Sequence, residues 1–186
     1  MAAKIEPLLT IEDLDACPED GNRYELIGGE LFVSRAPGIP HQRALHNFQF
    51  EFELFLKSNP IGIILPGTGA VFSDFDAVIP DLVFIRNERW VDVTTGPRIT
   101  AAPDIVVEIV SPGSENRRRD LSVKRQLYAK YGVAEYWVID PENRSVDVYR
   151  LHHQNLDRIT TLTNDAELTS PILPGFRLKV SAIFIP

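Results

Sequence analysis

The chain has 186 residues, 44% of them hydrophobic and 24% charged, a balance that suits one globular core and excludes a disordered or fibrous polymer. A formal charge of −7 excludes coating of nucleic acid or anionic membrane by bulk electrostatics, so any such contact has to be local. The single cysteine, Cys17, excludes an internal disulfide and a cysteine-based zinc cluster. With no signal-peptide core in MAAKIEPLLT and no apolar run near the roughly 20 residues of a membrane span, the expectation is a cytoplasmic protein without membrane contact.

In chain order, Thr10 caps a short predicted helix over Ile11 to Cys17, with Glu12 and Asp13 in its first turn and Pro18 just past its end. Arg23 to Arg35 reads as a hairpin, RYELI-GG-ELFVSR, because Gly28-Gly29 is a two-residue turn signal between strand-like runs. Glu25 and Glu30 flank that turn, where strand alternation places charges in solvent. A loop at Pro37 to Pro40 leads into a helix from His41 to Ser58, with Leu45, Phe48, Phe52, Phe55 and Leu56 on one side. His41 and His46 are five apart, which is not the i,i+4 spacing of two zinc ligands. His41, at the helix start, is expected to be exposed or to reach a phosphate.

Ile61 to Leu65, Ala70 to Ser73 and Val78 to Arg86 form three predicted strands, with a turn at Asp74-Phe75-Asp76. Pro80-Asp81 opens the apolar run Leu82 to Ile85, so Asp81 lies where irregular backbone can expose a carboxylate. Trp90 to Ala102 is a predicted connection. Ile105 to Val110 is then a near-continuous β-branched run, as in a central strand covered on both faces, interrupted by Glu108. A carboxylate there is costly unless paired, protonated or metal-bound.

The Ser111-Pro112-Gly113 break precedes a predicted helix from about Glu115 to Tyr131. At 100° per residue, Leu121, Val123, Leu127, Tyr128 and Tyr131 share one half of its surface, with Arg118, Arg119, Ser122, Arg125, Gln126, Ala129 and Lys130 on the other. Arg117, Asp120 and Lys124 fall inside the apolar arc, Lys124 near its middle. Glu108 and Lys124 therefore read as a buried pair, the lysine stem packed along apolar surface. Gly132 stops the helix, and Glu135 to Asp140 is a further strand, making a βαβ unit of parallel neighbours. Ser145 to Leu151 and Arg158 to Leu162 continue as an antiparallel meander, and LPGFRLKVSAIFI is a last apolar strand or edge segment. The pattern predicts a single α/β domain over residues 1–186, an α+β fold with a mixed sheet. Exposed apolar strands near the C-terminus allow a homodimer.

Asp81 and Glu108 on strands, with Lys124 on the next helix, suit Mg²⁺ or Mn²⁺ bound by hard oxygen ligands beside a phosphodiester. At these residues the chain resembles the PD-(D/E)XK nuclease superfamily, and within it a bacterial restriction-endonuclease-like family, a domain of unknown function with a migrated lysine. The resemblance is carried by Pro80-Asp81, Pro103-Asp104 with Glu108-Ile109-Val110-Ser111-Pro112, Asp120 with Lys124, and Glu135 to Pro141.

It implies a restriction-endonuclease-like core with an N-terminal helix and hairpin and a C-terminal meander. It further implies a Mg²⁺- or Mn²⁺-dependent endonuclease cleaving DNA. Asp81, Glu108 and the carbonyl of Ile109 would be metal ligands, and Lys124 would replace the lysine whose usual place is Val110. Glu25, His41 and Asp120 are second-tier candidates. Independently of the resemblance, Arg117, Arg118 and Arg119 with Arg125 read either as a solvated helix face or as a local phosphate-binding edge, with Arg117 the phosphate contact. Two alternatives stay open: a non-catalytic nucleic-acid-binding or regulatory module on the same scaffold, and a hydrolase of nucleotides or another phosphodiester. There is no GxSxG for a serine hydrolase.

Overall fold

The computed structural model describes residues 7–111 and 119–185, with the backbone alone for Arg119 and Asp120. The first helix, α1 (Ile11–Asp15), stops two residues before the predicted end at Cys17. Both the backbone N–H and the hydroxyl of Thr10 donate to the Asp13 carboxylate, which closes its first turn. The hairpin β1 (Arg23–Ile27) and β2 (Glu30–Ser34) forms as expected. Gly28 and Gly29 take φ of 60° and 77°, the left-handed backbone that a tight two-residue turn requires. Helix α2 (Ile39–Ser58) begins two residues earlier than predicted, with Pro40 in its first turn, where a missing N–H costs nothing.

The predicted strand from Val78 to Arg86 is two strands. After β3 (Gly62–Pro66) and β4 (Ala70–Ser73) the chain forms β5 (Asp76–Val78), breaks at Ile79 to Asp81, and resumes as β6 (Leu82–Arg86). Proline has no N–H for a ladder, so the break falls at Pro80. The two pieces lie in different sheets. The connection predicted over Trp90 to Ala102 contains α3 (Trp90–Val93) and two two-residue strands, β7 (Thr94–Thr95) and β8 (Arg98–Ile99).

Strand β9 (Ile105–Ile109) is buried along its whole length. Helix α4 (Lys124–Tyr131) follows a π-helical turn at Arg119–Val123 and ends at Gly132, whose φ of 86° suits the left-handed position past a helix. The chain then runs through β10 (Glu135–Asp140), β11 (Ser145–His152) and β12 (Asn155–Thr163), the expected meander. The predicted tail strand is a separate hairpin, β13 (Glu167–Ser170) and β14 (Leu173–Lys179), with a closing turn of helix, α5 (Val180–Ile183).

Among the described residues the strands form two six-stranded sheets, β2-β1-β5-β4-β8-β7 and β12-β11-β10-β9-β6-β3, beside the β13-β14 hairpin. The second is mixed: β9 runs parallel to β10, with Val107 opposite Trp137, and antiparallel to β6, with Leu82 opposite Val107. Alternation along β9 then divides the core. Ile105, Val107 and Ile109 join the cluster under α2, where Phe52 packs on Phe84, Trp137 and Phe176. Val106 and Val110 join the cluster under α4. Glu108 has the parity of the second set, and it therefore faces α4. Among the described residues no helix is long and apolar enough to cross a membrane.

Candidate active site

Lys124, the first residue of α4, is buried as its place in the apolar arc predicted. Its ammonium lies 2.9 Å from Glu108 Oε1 and 2.8 Å from Glu25 Oε1. The phenol of Tyr128, one turn further along α4, donates to the same Glu108 oxygen at 2.7 Å. Burial, then the charge on Glu108, the Tyr136 phenol and Glu25, raise the Tyr128 pKa well above its ordinary value, so it remains a donor. The other half of α4 departs from the wheel at one position: Ala129, assigned to the outer face, is buried.

Glu25 is a correction. Strand alternation placed it in solvent, but it is 3% exposed, and besides Lys124 it accepts the Ile79 N–H at 2.8 Å. Its partner lies 99 residues along the chain, beyond the reach of any local pattern. One signal was available, since an ammonium has three protons to donate and Glu108 alone does not use them. Glu30, across the turn, is exposed as expected.

Asp81 sits just before β6, but its carboxylate is buried rather than exposed. Its Oδ1 accepts from Arg23 Nη1 at 3.1 Å, and its Oδ2 from the Ile109 N–H at 2.9 Å. His41 Nε2 lies 3.0 Å from the same Oδ2. Burial alone would raise the Asp81 pKa. The His41 hydrogen bond and charge, the Ile109 N–H and the Lys124 charge outweigh it and bring the value down to about 2.

His41 is the second correction, buried at 4% exposure where the sequence suggested an exposed ring. Its Nδ1 has no hydrogen-bond partner among the described residues. Tyr128 and Arg23 were missed as site residues. Tyr128 was detectable at the i+4 position from Lys124 on one helix face, whereas nothing local marks Arg23. Arg117 lies outside the described residues, as does the side chain of Asp120.

Asp81, Glu108, Ile109 and Lys124, with Arg23, Arg35, Gly38 and His41 among others, line one pocket of about 360 Å³, whereas Glu25 and Tyr128 are not part of its lining. Among the described residues no three His, Cys, Asp or Glu side chains are grouped to hold a metal ion. A cation here would rest on two carboxylates and a backbone carbonyl. That set suits Mg²⁺ or Mn²⁺, which take one or two protein carboxylates and complete their shell with water and phosphate oxygens.

The family description "Putative restriction endonuclease", that of Uma2, matches residues 11–181. The chain belongs to the Uma2 family. The match takes in all the pocket residues named above, from Arg23 to Lys124. The crystal structure of a "putative nuclease" from Anabaena variabilis ATCC 29413 matches this Uma2 chain with a TM-score of 0.76 at 21% identity. The match covers 95% of this chain and 97% of that one, so the fold is shared end to end. No curated protein matches. The mixed α/β, PD-(D/E)XK-like fold expected from the sequence is thus the fold of the chain.

Proposed function

We propose that the chain is a Mg²⁺- or Mn²⁺-dependent endonuclease that hydrolyses DNA phosphodiester bonds in this pocket. The observation that carries the reading is that Asp81, immediately before β6, and Glu108, on its antiparallel neighbour β9, line one pocket together with Lys124. The Uma2 description and the presence of Arg23 and Arg35 in the pocket lining, which suit a polyanion, support it.

Asp81, Glu108 and the Ile109 carbonyl would hold the cation, with Arg23 and His41 fixing the rotation of Asp81. When bound, such an ion polarises the phosphodiester and lowers the pKa of an attacking water. Lys124 orients that water and offsets negative charge developing on the phosphate. Arg117 and Asp120 remain in the proposal as a phosphate contact and a second-tier residue. Cutting both strands takes two pockets, which a homodimer would supply.

The test is cleavage of duplex DNA in Mg²⁺ by the wild type, Asp81→Asn and Glu108→Gln, which remove charge while keeping shape. Both variants are expected to lose cleavage and keep their far-UV spectra. Activity equal to wild type in both sinks the proposal.

One observation favours a second reading, a nucleic-acid-binding or regulatory module without turnover. The triad Glu25, Lys124 and Glu108 is buried, and its one ammonium is shared by both carboxylates, as in a purely structural ion cluster. Calorimetric titration with Mn²⁺ separates the two, because a structural triad has no use for the ion.

A further inference from the structure

Lys124 and Tyr128 reach the same oxygen, Glu108 Oε1, but they are not equivalent donors. Lys124 divides its ammonium between Glu108 and Glu25 and, in the proposed reaction, also serves the water and the phosphate. Each added acceptor weakens its hold on Glu108. Tyr128 has a single hydrogen bond to donate, and the carboxylate 2.7 Å away accepts it. Its ring is fully buried and tilted against Tyr136, with 5.2 Å between centroids, so the hydroxyl is fixed by core packing.

We infer that Tyr128 is a positioning residue for Glu108, holding the rotation of this carboxylate toward the pocket while Lys124 engages substrate. The inference rests on the nuclease reading above. Cation affinity then depends on a phenol that never touches the cation, as it does on outer-shell partners of metal ligands in general. The competing account is a core tyrosine whose hydroxyl merely has a partner. On that account Tyr128→Phe lowers the melting temperature and changes nothing else.

The experiment is a calorimetric Mn²⁺ titration of wild type, Glu108→Gln and Tyr128→Phe, with melting temperatures and steady-state cleavage of duplex DNA alongside. Phenylalanine keeps every ring carbon, so the core stays filled. The expected result is an Mn²⁺ dissociation constant raised about tenfold or more in Tyr128→Phe, with kcat lowered and the KM for DNA unchanged. Wild-type Mn²⁺ affinity and kcat in Tyr128→Phe overturn the inference while leaving the nuclease reading standing. No Mn²⁺ binding and no cleavage by the wild type overturn both.

Discussion

At the scale of single residues, Lys124 connects the fold to its chemistry. An ammonium between two buried carboxylates is a net −1 cluster, and its removal leaves two like charges facing each other out of water. Lys124→Ala is therefore expected to destabilise the chain by about 3–5 kcal/mol, the range for breaking a buried pair from one side. Urea unfolding measures it. A loss below about 1 kcal/mol would mean that the lysine contributes only its packed stem, since an exposed pair is worth no more than that. Such a residue is a poor choice for testing catalysis by alanine, because loss of fold and loss of chemistry coincide.

At the scale of elements, the position of β6 against β9 decides whether Asp81 and Glu108 meet, and Asp104 secures it. Its buried carboxylate accepts from the Arg86 backbone N–H at 2.9 Å and from Arg86 Nε at 2.8 Å, with Arg89 Nη1 at 2.9 Å. Burial would raise its pKa, but the Arg86 N–H and the Arg89 and Arg86 guanidinium groups together hold it below the ordinary value. A carboxyl with a lowered native pKa gives stability that is complete above its unfolded value and lost as pH falls through the native one. The wild type is thus expected to lose urea resistance below about pH 4 more steeply than Asp104→Asn, which gives up that contribution at every pH. Parallel acid slopes for the two would refute the assignment.

The same elements show what a sequence makes legible. The hairpin, the β-branched run of β9 and the inward Lys124 follow from glycine turns and from periods of 2 and 3.6, all of them local. The β5–β6 break was missed because the apolar run continues through Pro80, and only sheet membership separates its halves. The burial of Glu25 and His41 depends on partners 99 and 40 residues away, which no local period encodes.

At the scale of the whole molecule, the pocket is assembled from separate stretches of chain: the hairpin with Arg23, Asp81 just before β6, β9 with Glu108, and α4 with Lys124, which Glu25 of the hairpin holds from behind the lining. Its geometry is only as firm as the tie between the hairpin and α4. Asp76, read from the sequence as part of a turn, is a buried member of β5 and supplies that tie. Its Oδ1 accepts from the Gly28 N–H in the hairpin turn at 2.7 Å. Its Oδ2 accepts from Lys130 Nζ and the Tyr131 hydroxyl, at the far end of α4, each at 2.7 Å. Replacement by alanine leaves Lys130 to solvent, where it is already largely exposed, so the cost falls on the Gly28 N–H and the Tyr131 and Ser73 hydroxyls, which lose their acceptor. Asp76→Ala is accordingly expected to cost about 0.5–1.5 kcal/mol, because Gly28 is exposed and Tyr131 half-buried, and to speed hydrogen exchange at the Gly28 amide. The core amides of β9 and β10, held in the other sheet, should slow or speed only with global stability. If the Gly28 amide keeps its protection relative to those core amides, Asp76 does not join hairpin to helix, and the register between Glu25 and Lys124 has another source.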